Sequence, residues 1–252
     1  MKDILKDVVK HTHGLGIINA VKVTTDADTT SVDAMDDDRT VVLRGKLHSR
    51  VSDFNGKFGL GRLGVLSGYL NFSTFDAIKS EEASTNVAVR REERNGEIAP
   101  TELDFTAPGG FAASYRVISS AMVDEQIKTA NFKGAKWDVE FVPSRRAVKE
   151  LQQVAGILSS YDPLFTVSTE DDNLIFTIGD ASTDKADLQF AKNVGGSLSS
   201  AWSFPLSTVL TILRLGDTSQ MSVKISDQGA MMIAVDSGLG LYEYILPAKA
   251  GN

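Results

Sequence analysis

Two short basic segments carry most of the information about the fold of this chain. The first reads Met1-Lys2-Asp3-Ile4-Leu5-Lys6-Asp7-Val8-Val9-Lys10, and the second reads Pro143-Ser144-Arg145-Arg146-Ala147-Val148-Lys149-Glu150-Leu151. The lysines of the first segment recur at every fourth position, so a helix places them on one face and the apolar residues on the other. The second segment repeats this pattern more loosely, with Arg145, Arg146 and Lys149 outward. The sequence therefore predicts two amphipathic helices, each with a basic stripe.

These basic helices stand out because the chain as a whole is acidic. The formal net charge is −7, so most of the surface repels nucleic acid. Charge placed this unevenly favours one surface that meets a polyanion. A lysine-bearing solvent face is also the commonest feature of surface helices. An ordinary solvated face is therefore the alternative interpretation of each helix taken alone.

Composition limits the class of protein. The chain has 252 residues, enough for one large domain or two ordinary ones, and 42% of them are hydrophobic. It has no cysteine, which excludes disulfides, thiolate metal sites and a cysteine nucleophile. It has no apolar run of membrane-spanning length, and its first residues alternate charged and apolar types. We expect a soluble intracellular protein from a reducing compartment.

The first half of the chain is predicted to be rich in strands. Residues 26–38 form an acidic, turn-rich stretch, and residues 58–70 are predicted to form a short apolar helix. Asn95-Gly96 is a strong hairpin-turn signal. Residues 119–136 have no clean period and are predicted to be a linker. The predicted strands cover residues 17–25, 40–47, 75–79, 86–91, 102–106 and 112–118.

The second half repeats this order of elements. Ser144 is well placed to cap the basic helix, which is predicted over residues 145–158. A second apolar helix is predicted over residues 204–215, with Pro205 near its first turn. The predicted strands cover residues 137–142, 164–169, 174–178, 188–192, 221–226, 231–235 and 241–246.

Each half thus runs from a basic helix through strands to an apolar helix and further strands. That order indicates an internal duplication. Few short helices and many hairpins predict an α+β fold with antiparallel sheets rather than a doubly wound parallel sheet. The predicted domains are residues 1–118 and 137–252, joined by the linker 119–136.

Several segments resemble DNA sliding clamps of the proliferating cell nuclear antigen family, including the T-even phage clamps. The ending from Leu241 to Lys249 is similar to the closing strand of the family, with Leu-Pro-Ala-Lys in place of Ala-Pro-Lys. The stretch from Val32 to Asp36 is similar to the Gln-Ala-Met-Asp segment of the family. Residues 53–70 resemble the second-helix region of the phage clamps, and residues 204–235 lie where the family has its fourth helix and the strands after it.

This resemblance implies two similar domains per chain and three chains that close a ring, with the helices facing a central hole and the sheets outside. Duplex DNA in the hole would meet diffuse positive charge and no groups that read bases. The implied role is that of a polymerase processivity factor, with double-stranded DNA, a DNA polymerase and a clamp loader as partners. It implies no membrane, no cofactor and no metal. The DNA-facing residues implied are Lys2, Lys6, Lys10, Arg62, Arg145, Arg146, Lys149 and Arg214.

In the family, the linker covers an apolar pocket on the outer wall that accepts short peptides from polymerases and clamp loaders. The ordinary alternative for each matching residue is core packing. The protein would work at the replication fork, or in the cytoplasm of a microbial host if it is viral. The matching pocket residues are Met35, Arg39, Thr40, Met122, Val123, Ile127, Gly229, Tyr244, Leu246, Pro247 and Ala248.

One motif favours a different class of protein. Gly59-Leu60-Gly61-Arg62-Leu63-Gly64 fits the dinucleotide-binding fingerprint, so the alternative function is a dinucleotide-dependent enzyme. The context argues against it, because residues 53–57 look turn-like and no parallel βαβ pattern surrounds them. Asp36-Asp37-Asp38 is expected to be a solvated turn, and the histidines lack metal-ligand spacing. No catalytic triad is indicated, so we expect a protein that is not an enzyme.

Overall fold

The computed structural model describes residues 1–72, 86–94, 97–107, 110–127, 129, 134–160, 162–182 and 184–249. The chain divides into two compact units. The first unit contains Met1–Ala130 and Gly238–Tyr242, and the second contains Asn131–Ser237 and Glu243–Asn252. Each unit is built from antiparallel strands and short helices, which confirms the α+β class.

The first unit begins with helix α1 and holds two groups of strands. Its elements are α1 (Lys2–His11), β1 (Val21–Thr25), β2 (Thr30–Met35), β3 (Val42–Leu47), β4 (Gly56–Leu60), α2 (Leu63–Leu70), β5 (Asn86–Arg94), β6 (Glu97–Thr106), β7 (Ala112–Arg116) and α3 (Ser120–Gln126). One sheet has the strand order β4-β1-β2-β3, and the other has the order β5-β6-β7.

The second unit repeats the plan of sheets and helices. Its elements are β8 (Val139–Phe141), α4 (Arg145–Leu158), β9 (Leu164–Glu170), β10 (Asn173–Ile178), β11 (Ala186–Ala191), β12 (Trp202–Pro205), α5 (Leu206–Leu213), β13 (Met221–Ser226), β14 (Ala230–Asp236) and β15 (Gly240–Pro247), whose first residues belong to the first unit. The strand orders are β15-β14-β13-β8 and β11-β10-β9-β12.

Alternation of apolar and polar side chains explains the strands. In β1 and β10 every second residue is buried, as expected for sheets with one face on a core. Phenylalanine rings in contact fill the core of the second unit. The rings of Phe176 and Phe190 lie 4.1 Å apart, and those of Phe165 and Phe176 lie 4.6 Å apart.

The helices bury one apolar face each. Helix α1 buries Leu5, Val8 and Val9 and contacts α2. Helix α4 contacts α5 and spans the predicted residues, and the Ser144 hydroxyl accepts a hydrogen bond from the Ala147 amide at 3.1 Å. The N-cap and the 3.6-residue period therefore predicted this helix correctly.

Four sequence predictions are corrected by the structure. The acidic stretch 26–38 contains strand β2, in which Val32 and Ala34 are buried. The helix predicted over 58–70 is strand β4 followed by α2, and the one predicted over 204–215 is β12 followed by α5. The predicted linker contains helix α3. The strand predicted at 75–79 and the Asn95-Gly96 turn lie outside the described residues.

Candidate nucleic-acid interface

The lysine stripe of α1 is partly open to solvent. Lys10 is exposed, and Lys2 and Lys6 are half-buried. Within the described part of the chain none of these three lysines makes an ion pair. Asp7, on the same helix, accepts a hydrogen bond from the Tyr242 hydroxyl at 2.8 Å, so this acid is engaged by the first unit's own core. The described residues therefore leave all three lysine charges without a paired acid.

The back of α1 is fixed by an aromatic contact within the first unit. The His11 side chain is fully buried and stacks on the Tyr242 ring at 4.1 Å, with 5° between the planes. Burial lowers the pKa of His11 to about 4; the Asp7 carboxylate opposes this shift and Lys10 adds to it. His11 is thus neutral at physiological pH, and the helix face that carries the lysines is held in one orientation.

Arg62 lies immediately before α2 rather than on it. Its φ of +55° is left-handed, an uncommon conformation for a residue other than glycine. The guanidinium lies 6.0 Å from the centre of the Tyr115 ring, and the Tyr115 hydroxyl donates to the Gly61 carbonyl. Burial raises the pKa of Tyr115, and the charge of Arg62 opposes that rise. Arg62 is exposed to solvent, and its guanidinium lies beside an aromatic ring.

The basic stripe of α4 is largely exposed, but two of its charges are already engaged. Arg145 forms an ion pair with Asp217. Arg146 donates from Nε to Glu150 Oε1 at 2.6 Å. Lys149 is exposed and has no ion pair among the described residues. The sequence predicted the stripe and missed both acidic partners.

The partner of Arg145 is itself held in place. Asp217 caps the 3-10 turn Thr218–Gln220, and its Oδ1 accepts from the Ser219 amide and hydroxyl, each at 3.1 Å. The hydrogen bond from Arg145, followed by those from Ser219, lowers the pKa of Asp217 to about 2. Arg214, three residues earlier at the end of α5, is exposed.

The first-unit members of the predicted peptide pocket cluster around α3. Met35 and Ile127 line one small cavity of about 130 Å³. Val123 and Ile127 are buried, whereas Met122 is exposed. A Cβ added at Gly59 of β4 would lie 2.6 Å from Ile127 Cδ1, so the helix packs directly on this strand. Val123 and Ile127 have the helical spacing of four, but Val123 is the one buried residue within α3, so the sequence shows little of a helical period.

An acidic residue strengthens the attachment of α3. Asp124 accepts from Lys22 Nζ at 3.4 Å and from Lys57 Nζ at 2.5 Å. The hydrogen bond from Lys57 is the main cause that lowers the pKa of Asp124. Two strand lysines therefore hold the exposed side of the helix while Val123 and Ile127 hold the buried side.

The other two residues of the predicted peptide pocket in the first unit, Arg39 and Thr40, lie in the turn after β2. Arg39 has a left-handed φ of +56° and is exposed. Thr40 donates its hydroxyl to Asp36 at 2.6 Å, and the Val41 amide donates to the same carboxylate at 2.6 Å. Asp36 is therefore a buried turn residue, which corrects the expectation of a fully solvated acidic turn.

The second-unit members of the predicted peptide pocket lie in β15, in the residue after it and in the turn between β13 and β14. Tyr244 and Leu246 are fully buried within the protein, and Pro247 is exposed. The Ala248 amide donates to the carbonyl of Gly229, which has a φ of +75°, at 2.8 Å. The predicted pocket residues are thus divided between two units, and their common role as a peptide pocket stays a prediction.

The glycine run does not support the dinucleotide alternative. It does occupy a strand–turn–helix, which the sequence pattern did not predict. However, β4 pairs antiparallel with β1, and Lys22 lies opposite Gly59. The Gly59 amide donates to the Ile118 carbonyl at 2.9 Å, and the Ile118 amide donates back at 2.7 Å. The backbone groups of Gly59 are thus engaged in hydrogen bonds within the protein, and this segment is not a phosphate-binding turn.

The described residues offer neither a metal centre nor a membrane span. They contain no group of three or more histidine or acidic side chains that could hold a metal ion. They also contain no helix that is both long and apolar enough to cross a membrane.

Comparison with known proteins connects this architecture to solved structures. No protein-family model matches the chain, and no curated protein matches it. PCNA of A. fulgidus, solved with the C-terminal region of FEN-1 bound, superposes with a TM-score of 0.69 at 9% identity, over 100% of this chain and 97% of that one. The proliferating cellular nuclear antigen of Entamoeba histolytica gives 0.68 at 12% identity, over 99% and 96%.

A third structure agrees with these two. PCNA of Thermococcus kodakaraensis superposes with a TM-score of 0.67 at 10% identity, over 99% of this chain and 97% of that one. Because the identities are so low, the likeness establishes the fold alone. The chain has the fold of PCNA-type sliding clamps along its whole length, which confirms the resemblance seen in the sequence.

Proposed function

We propose that the protein is a sliding clamp, a ring that encircles duplex DNA and tethers a DNA polymerase to it. The observation that carries this proposal is the repetition of one feature in both units. Helix α1 in the first unit carries a lysine stripe that is partly exposed, and α4 in the second carries an exposed stripe of arginine and lysine, on an otherwise acidic protein with the fold of a clamp. No enzymatic activity and no cofactor are part of the proposal.

The chemistry of the stripes suits sliding. Lysine and arginine contacts to phosphate release counterions and carry no sequence information. The phosphate field of a duplex is nearly uniform along its axis, so such contacts re-form at each step. The cations Lys10, Arg62, Lys149 and Arg214 supply charge of this kind from α1, the start of α2, α4 and the end of α5.

We further propose that three chains form the ring, which gives six similar domains. The likeness of the full chain to PCNA structures supports this arrangement. A ring would also pair sheet edges that an isolated chain leaves open. Strand β11 ends its sheet in the described part of the chain and is a candidate for such pairing.

The proposed protein partners are a DNA polymerase and a clamp loader, acting inside a cell at the replication fork. A short peptide from such a partner would bind beside the end of β15. The A. fulgidus neighbour was solved with a segment of FEN-1 bound, which supports peptide binding as a mode for this fold. A phage or other microbial source is part of the same proposal.

Light scattering after gel filtration tests the assembly. A ring of three predicts a particle of about three times the chain mass of 27.1 kDa. A monomer at every concentration up to tens of micromolar, with duplex DNA present or absent, contradicts the proposed ring.

A further inference from the structure

Arg145 is held by an acidic residue from a different part of the second unit. Asp217 lies 72 positions further along the chain, in the loop after α5, and its Oδ2 accepts from Arg145. The neighbouring ion pair on α4 differs from this one. Arg146 and Glu150 lie four apart on one helix, where ion pairs of this spacing are common on surfaces. Of these two pairs, the Asp217 pair alone requires the fold to bring two segments together.

Asp217 is also fixed independently of Arg145. Its Oδ1 accepts two hydrogen bonds from Ser219, as the N-cap of the turn Thr218–Gln220. Its Oδ2 is then left pointing to the arginine. Because the cap orients the carboxylate, the pair forms without the full loss of side-chain freedom that usually weakens surface ion pairs.

A carboxylate in this place resembles a phosphate oxygen. Carboxylates and phosphates both accept hydrogen bonds from the planar guanidinium group, and with similar geometry. Arg145 is also highly exposed, with 79% of its side chain accessible, so a phosphate could reach it from solvent. The carboxylate and a phosphate would therefore compete for one arginine.

We propose that Asp217 is a built-in competitor of DNA phosphate for Arg145, which weakens the contact of α4 with DNA. This inference rests on the proposed clamp function, which it deepens by naming a residue that limits affinity. A clamp that holds phosphate too strongly slides slowly. When a fixed carboxylate competes with passing phosphates for this arginine, the free-energy well at each step along the duplex is shallower.

The test measures binding of a fluorescent linear duplex by anisotropy across a range of salt concentrations. Asp217→Asn removes the charge and keeps a residue that caps well. One additional phosphate contact steepens the slope of log K against log salt by about 0.9. The affinity of the variant relative to wild type should then rise about eightfold for each tenfold fall in salt.

A matched control removes the same charge elsewhere. Asp171 lies in the turn between β9 and β10, where its positive φ of +47° suits asparagine. It makes no ion pair among the described residues. Asp171→Asn should leave the salt slope unchanged. If Asp217→Asn and Asp171→Asn have the same slope and affinity, Asp217 does not restrain Arg145 and the inference is overturned.

The arginine itself provides the second control. In an Arg145→Ala background, Asp217→Asn should no longer change the slope, since the competing group is gone. A persistent increase in that background assigns the effect to net charge and overturns the inference. Melting temperatures show whether each variant is folded, and Asp217→Ser, another capping residue, replaces Asp217→Asn if that variant does not fold.

Failure of the proposed function has a different outcome. If wild type, Asp217→Asn and Asp171→Asn all fail to bind the duplex even at low salt, the clamp proposal fails and the inference fails with it. If wild type binds and the Arg145→Ala variant binds more weakly, but Asp217→Asn is unchanged, only the inference fails.

Discussion

The imidazole of His11 lies flat on the phenol ring of Tyr242, with 4.1 Å between the ring centres. This contact joins the last residue of α1 to β15 inside the first unit. The Tyr242 hydroxyl extends the contact to Asp7, one helical turn before His11. The orientation of the α1 lysine stripe therefore depends on a buried histidine that must stay neutral.

We expect the stability of the protein to fall as the pH is lowered from 6.5 to 4. The pKa of His11 is about 4 in the folded protein and 6.5 in its ordinary environment, so the unfolded chain binds the extra proton across this range. Stability rises with pH wherever the unfolded state binds more protons. The contribution of His11 is complete above pH 6.5, and lowering the pH to 4 removes about 3 kcal/mol.

Urea unfolding as a function of pH measures this effect. His11→Gln should lose the dependence between pH 4 and 6.5 that wild type shows, whatever its absolute stability. His48 is exposed, and His48→Gln is the matched control that should retain the dependence. An unchanged pH profile for His11→Gln would mean that other groups cause the loss of stability in acid.

The triple substitution Arg145→Ala, Arg146→Ala and Lys149→Ala should weaken DNA association and leave the fold intact. The three side chains are exposed, so their removal opens no cavity. The slope of log K against log salt should flatten by up to about 0.9 for each phosphate interaction that the substitutions remove. A salt titration with a linear duplex, together with the melting temperature, checks both statements.

The control for that experiment removes three other exposed cations, Lys46, Arg116 and Lys136, which lie outside the helices. This second variant has the same net charge as the first. Equal weakening of DNA association in both variants would assign the effect to net charge. Unchanged association in both would mean that the α4 stripe is an ordinary solvated face.

Gly59→Ala should destabilise the first unit by about 1–3 kcal/mol, the usual cost of an overpacked contact. The added methyl group would lie 2.6 Å from Ile127 Cδ1 and 3.0 Å from Val123 Cγ2 of the segment formed by α3 and the residue after it. Chemical denaturation of the single variant and of Gly59→Ala with Ile127→Val measures the interaction. The second change removes the clashing atom and should recover part of the stability.

Gly68→Ala on α2 is the matched control, because no atom lies within 4 Å of its added Cβ. Alanine favours a helix over glycine, so this variant should be as stable as wild type or more so. If Gly59→Ala were equally well tolerated, the close packing of α3 on β4 would be contradicted.

Truncation after Leu246 should abolish stimulation of the replicative polymerase of the source organism while a closed ring remains. The truncation removes the predicted pocket residues Pro247 and Ala248. It also removes two backbone hydrogen bonds, from Ala248 to Gly229 and from Lys249 to Ser203, each 2.8 Å long. Melting temperature must therefore accompany primer-extension assays.

A chain that ends after Lys249 retains both hydrogen bonds and is the control for removal of the terminal residues. It should stimulate the polymerase fully. The assignment of the peptide pocket is wrong if the shorter chain folds, forms rings and stimulates as well as wild type does.

Local signals predicted the elements with a strong period or cap. Helix α4 begins and ends as predicted because Ser144 caps it and its apolar residues follow the helical repeat. Strand β13 matches because Met221, Val223 and Ile225 alternate with polar residues. Strand β4 was missed because glycines lower the apparent strand propensity, and α3 because few buried residues mark its inner face.

The long-range partners could not be predicted from local pattern, whereas the spacing of four between Arg146 and Glu150 does indicate a pair. Arg145 and Asp217 are 72 positions apart, and Asp7 and Tyr242 are 235 apart. Tertiary packing brings each pair together, so neither spacing nor periodicity indicates it. The sequence thus predicted which cations lie on or beside the helices and left unknown which of them are already paired with an acid.

Binding to duplexes with open or blocked ends tests the proposed ring most directly. A preformed ring threads onto a linear duplex from its ends, so a bulky protein fixed at both ends should prevent association, whereas a surface-bound protein needs no free end. A ring predicts fast association with the open duplex and very slow association with the blocked one at the same salt concentration. Equal association rates on both would contradict a protein that encircles DNA.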